Sequence, residues 1–221
     1  MDSGYSYFNS FKENRSWLAI ALVALFIPFY HNWSELTIVF LFLVLLTDSA
    51  VWKRLASFTK NRLLYPMILL YLMYGIGMIY TTNLAEGWSV MTTELPLLLF
   101  PVFLSALDYS KPKQVDFIFL CFLIGCLVAA LICIGVASYA WFTTDINLFF
   151  YTDLSLFMHP SYFALYLNFI LCWLYQKLIF EDSNGYLKKP VLLFLLFFIN
   201  AFILMLSSRA GIYSAAIAAM F

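Results

Sequence analysis

Charge is what this sequence has least of. Only 11% of its 221 residues are Asp, Glu, Lys or Arg, against 64% hydrophobic and 20% aromatic, and the mean hydropathy is +0.90. A soluble domain needs roughly a quarter of its residues charged to cover its surface, so an ordinary water-soluble globule is excluded. The small residues that signal-peptide cleavage requires are also missing after the first apolar run. Phe29, Tyr30 and His31 stand there instead, and the run reads as a retained helix. Cysteine is scarce: Cys121, Cys126, Cys133 and Cys172 all lie inside apolar runs without CxxC spacing. They read as small hydrophobes in helix packing rather than as disulfides or metal ligands. No nucleotide-binding glycine loop, HExxH or other soluble-enzyme motif is present, so neither metal nor cofactor is expected. No internal repeat or long linker divides the chain, which reads as a single domain over residues 1–221.

What is there is a series of apolar runs. Seven are expected to span a bilayer: about Trp17 to Tyr30, Leu36 to Val51, Leu63 to Tyr80, Val90 to Leu107, Phe117 to Phe142, Tyr162 to Phe180 and Val191 to Leu206. The expected fold is all-α, a polytopic transmembrane helical bundle. An eighth run begins near Ala210, but the eleven residues from Gly211 to Phe221 rise only about 16 Å, half a bilayer. The expectation is the front part of a longer chain. Pro96 and Pro101 fall in the fourth span, where lost backbone hydrogen bonds predict a kink or a broken helix.

Basic residues orient the bundle. With the N-terminus cytoplasmic, the inner side receives Lys12, Arg15, Lys53, Arg54, Lys60, Arg62, Lys111, Lys113, Lys177, Lys188 and Lys189, eleven of the twelve. The same bias accounts for them without a nucleic-acid partner. Outer segments carry acids, Glu35, Glu86, Glu94, Asp145 and Asp153, together with His31 and His159. The twelfth basic residue is Arg209, in "LSSRAG", on the outer face after the nineteen uncharged residues from Pro190 to Ser208.

An arginine at a helix centre costs about 2.5 to 3.5 kcal/mol on insertion scales, and this one also opposes the positive-inside bias, so something should compensate for it. Ser207 and Ser208 are good N-cap residues for the eighth helix, whose free N–H groups would face the same surface as the guanidinium: a phosphate cradle. The alternative is an arginine that snorkels to the headgroups or pairs with Glu94 or Asp153. His159 precedes Pro160 at the outer start of the sixth span, where it either donates to an anion or serves as a hydrogen-bonded interfacial residue. Glu94, beside the proline segment, is either a partner for Arg209 or a solvated interfacial carboxylate. Asn168 and Asn200 lie within spans and are expected to hydrogen-bond between helices.

Three stretches carry a resemblance: "ELPLLLFPVFL" (Glu94 to Leu104), "HPSYFALYLNF" (His159 to Phe169) and "LMLSSRAGIYSAA" (Leu204 to Ala216). In this order the chain resembles the O-antigen ligase and polymerase family, multi-span glycosyltransferases of the bacterial inner membrane, with about residues 200–221 opening a ligase-like segment. The resemblance implies a polyprenyl pyrophosphate-linked glycan donor, a glycan or lipid acceptor, contact with membrane lipids, and metal-independent transfer with inversion. It implies that Arg209 binds the leaving pyrophosphate, with Ser208, His159 and Glu94 as further substrate-binding candidates. The family's catalytic histidine lies in a large external loop further along, so no residue here is assigned as catalytic and the 221 residues alone are expected to be inactive. Two other classes stay open on the residues. A transporter or flippase would show paired broken helices; a non-catalytic scaffold would tolerate loss of Arg209.

Overall fold

The computed structural model describes residues 3–29, 31–48, 51–53, 64–105, 112–180, 188–206 and 209–218. Among them there is no strand. In chain order the helices are α1 (Ser3–Phe26), α2 (His31–Leu46), α3 (Leu64–Tyr80), α4 (Leu84–Thr93), α5 (Leu95–Ser105), α6 (Pro112–Thr144), α7 (Tyr151–Leu154), α8 (Pro160–Phe180), α9 (Lys189–Met205) and α10 (Arg209–Ala218). Of the cations expected on the inner side, Arg54, Lys60, Arg62 and Lys111 lie outside the described residues.

Three stretches are long and apolar enough to cross a membrane: Leu84–Ser105, Gln114–Thr144 and Pro160–Phe180. Arg15–Phe26, Trp33–Leu46, Leu64–Tyr80 and Lys189–Met205 are apolar but shorter. Length separates the two groups, since the 17 residues of α9 rise about 26 Å against a hydrocarbon core of roughly 30 Å. The molecule is therefore a helical membrane protein with three stretches of full spanning length among the described residues, one of them the α4–α5 pair.

The chain forms two compact units, residues 1–41 with 113–221, and residues 42–112. In the first, α8 is the central element. Phe163, Ala164, Leu167, Ile170, Leu171 and Leu174 are each at most 1% exposed, at the i, i+3, i+4, i+7 spacing of one buried helix face, while Tyr162, Leu165 and Phe169 on the other side are exposed. On α6 the buried face, apart from Leu123, is built from small residues, Gly125, Cys126, Ala129, Ala130, Cys133 and Ala137, while Ile124, Val128, Leu131, Ile132 and Val136 face outward. Small residues inside and large apolar ones outside is the pattern expected where lipid, not water, surrounds the helix: close backbone approach supplies the packing. Gly125 shows this most directly, because a Cβ there would overlap the Leu25 carbonyl oxygen of α1. The ring of Phe163 meets that of Phe202 at 5.3 Å, setting the C-terminal part of α9 against the N-terminal part of α8.

In the second unit α3, α4 and α5 pack on one another. Asn83 starts α4 reciprocally: its Oδ1 accepts from the Glu86 N–H at 3.2 Å while its Nδ2 donates to Glu86 Oε2 at 3.2 Å. The expected break of the fourth run falls at Glu94, the turn between α4 and α5 (φ −87°, ψ −1°). Pro96 sits in the first turn of α5, where its missing N–H is tolerated, and Pro101 stays inside the helix. Tyr71 Oη donates to the Met91 carbonyl at 3.4 Å, and Phe42 packs against Phe100 and Phe103.

Candidate functional site

The end of the first unit headed by His159 is built by the loop from Asp145 to His159. Asp145 and Tyr151 have positive φ, 53° and 56°, a left-handed conformation that non-glycine residues adopt at a cost of about 1 kcal/mol or more. At Tyr151 this turn begins the short helix α7, whose Leu154 is fully buried and anchors the loop. Ser155 Oγ donates to the Met158 carbonyl, closing the next turn. Phe157 meets Phe29 edge-on at 5.5 Å, and the two border an apolar cavity of about 320 Å³ with Phe26 and Trp33.

His159 is held twice. As N-cap of α8 its carbonyl accepts from the N–H groups of Tyr162 (3.0 Å) and Phe163 (3.2 Å), and its Nδ1 accepts from the Ser161 N–H at 3.3 Å. Tyr151 and Tyr162 flank the imidazole edge-on, with centroids 6.4 and 6.1 Å away. Because Nδ1 accepts, the neutral ring carries its proton on Nε2. The exposed imidazole then offers a donor outward. That suits it to donating to a ligand oxygen.

Arg209 is the first residue of α10, and Ser207 and Ser208 lie outside the described residues. α10 packs chiefly against α8. The polar tie between them is Asn168, whose Nδ2 donates to the Gly211 carbonyl at 3.0 Å and to the Ala164 carbonyl at 2.8 Å. Asn168 stands eight residues beyond Pro160, a rise of about 12 Å. The first turn of α10 thus meets the half of α8 that His159 heads. At the other end of α8, Lys177 pairs with Asp116. Asn200, expected to bond between helices, instead donates to Leu196 of its own helix at 2.8 Å. Glu94 belongs to the second unit, half-buried at its turn.

Sequence reasoning passed over Tyr151 and Asp116. No sequence signal marks the positive φ of a tyrosine. For Asp116 a signal exists: an acid at the start of one apolar run and a base, Lys177, near the end of another. No protein-family model, curated protein or solved structure matches the chain.

Proposed function

We propose that this chain carries the pyrophosphate-binding part of an O-antigen ligase- or polymerase-like glycosyltransferase. In this reading it is a seven-span bundle plus the start of an eighth helix, N-terminus cytoplasmic, in a bacterial inner membrane. The observation that carries the reading is the place of Arg209. The one basic residue outside the inner-side set opens a helix whose first turn is tied to α8 in the half headed by His159. A helix N-terminus presents free N–H groups and a partial positive charge, and a guanidinium adds a planar fork that matches phosphate oxygens.

The chemistry follows from those groups. When an acceptor hydroxyl oxygen bonds to the anomeric carbon of the donor sugar, the bond from that carbon to the pyrophosphate oxygen breaks and its electron pair leaves with the pyrophosphate. Arg209 and the first N–H groups of α10 stabilise that growing charge, which lowers the barrier without a metal. His159 contributes its Nε2–H as a further donor. The acceptor's proton goes to a base that none of these residues supplies.

The direct test is pyrophosphate binding by the purified 221-residue chain in detergent, read as a thermal shift. Pyrophosphate should stabilise the chain, and Arg209→Lys should raise its Kd roughly tenfold, since a point charge lacks the bidentate fork. Absence of any shift, or equal affinity in Arg209→Lys, would leave Arg209 a structural residue.

A further inference from the structure

We infer that Asn168 is a positioning residue, a register pin that fixes the height and rotation at which α10 presents Arg209; the inference rests on the anion-site reading above. Its two amide protons are committed, one to Ala164 within α8 and one to Gly211, 43 residues away on α10. The orientation of the amide is therefore set, because turning it over would press Oδ1 against two carbonyl oxygens. Oδ1 itself has no hydrogen-bond partner among the described residues, although Asn168 is only 5% exposed. A buried acceptor without a donor is destabilising, and leucine would fill the same space without that penalty. Asn168 therefore supplies something other than stability.

Directional bonds supply register. Sliding α10 by one residue along α8 displaces it by about 1.5 Å and turns it by about 100°, enough to carry Arg209, two residues ahead of Gly211, away from its site. Apolar side-chain packing is less directional than a hydrogen bond and resists such a slip less sharply. Among the described side chains of α10, Gly211 and Ala215 are buried and Ile212 packs half-buried against the core, apolar contacts that carry no hydrogen-bond direction. The Asn168–Gly211 bond is a directional contact between the two helices that distinguishes one register from the next. Ser214 Oγ, which also donates to the Gly211 carbonyl at 3.1 Å, lies on α10 itself and moves with it.

The test is Asn168→Leu in the purified 221-residue chain, read three ways: unfolding midpoint, Kd for inorganic pyrophosphate, and the distance between spin labels at Tyr162→Cys and Tyr213→Cys. Both label sites are exposed, and the four native cysteines are replaced beforehand. The pin predicts an unfolding midpoint equal to or above wild type, a label distance that shifts or broadens, and a Kd raised roughly tenfold, the loss of about one charge-assisted hydrogen bond. An unchanged label distance overturns the pin, whatever happens to the midpoint. Asn168→Ala gives the same readouts should the leucine variant not fold. If wild type binds no pyrophosphate, the anion-site reading falls, while the label distance still decides the pin.

Discussion

Lys177 Nζ lies 2.7 Å from Asp116 Oδ2 and closes an ion pair between the last turn of α8 and the first turns of α6. The pair sits in an aromatic setting. Trp173 Nε1 donates to Asp116 Oδ1 at 3.3 Å, the Lys177 ammonium is 5.8 Å from the Trp173 ring centroid, and Phe119 stacks on Trp173 at 5.6 Å. Both charged side chains are less than a quarter exposed, so water screens them little.

Removing one partner should therefore be felt. Asp116→Asn keeps an acceptor for Trp173 but leaves the lysine without its counter-charge, and should lower stability by about 1 to 3 kcal/mol. The check is thermal unfolding in detergent, followed by Trp fluorescence. Exchanging the two residues, Asp116→Lys with Lys177→Asp, should recover part of the loss.

Gly125 and Gly135 lie on the same helix and should respond oppositely to alanine. At Gly125 the new methyl overlaps the Leu25 carbonyl, backbone that has no rotamer with which to yield, and the cost should be about 1 to 3 kcal/mol. At Gly135 a Cβ meets nothing within 4 Å, so alanine should stabilise by about 0.5 to 1 kcal/mol through helix propensity alone. Unfolding midpoints of the two variants, measured side by side, decide the matter. Equal effects would contradict the close α1–α6 approach.

His159 combines capping with a donor, and two substitutions separate them. His159→Asn retains a cap for the Ser161 N–H and should keep stability near wild type, whereas His159→Ala should cost about 1 kcal/mol. Both should weaken pyrophosphate binding to the same extent, because both lack Nε2–H. A His159→Asn variant that binds pyrophosphate as well as wild type would reduce the imidazole to a cap.

The sequence made the helices legible because an apolar run bounded by polar residues has few other folds open to it in lipid. It also marked Arg209, since one charge among so few stands out. The break in the fourth run was foreseen near Pro96 and Pro101, yet the turn itself is at Glu94, because a proline at the start of a helix needs no hydrogen bond. What stayed hidden is long-range. Leu25 against Gly125, Asp116 against Lys177 and Asn168 against Gly211 join residues 43 or more positions apart, and nothing in local periodicity names such partners. The same holds for Asn200: an amide within a span needs a partner, but the sequence does not say whether that partner is a neighbour helix or the carbonyl one turn back.

The central claim is that the His159 and Arg209 end of α8 faces outward. In a chain freed of native cysteines, Ser161→Cys and Gln176→Cys place one exposed thiol near each end of α8. A membrane-impermeant maleimide applied to intact spheroplasts should label the Ser161→Cys protein, and the Gln176→Cys protein only after permeabilisation. The opposite pattern would put Arg209 on the cytoplasmic side and contradict both the orientation and the outward pyrophosphate site.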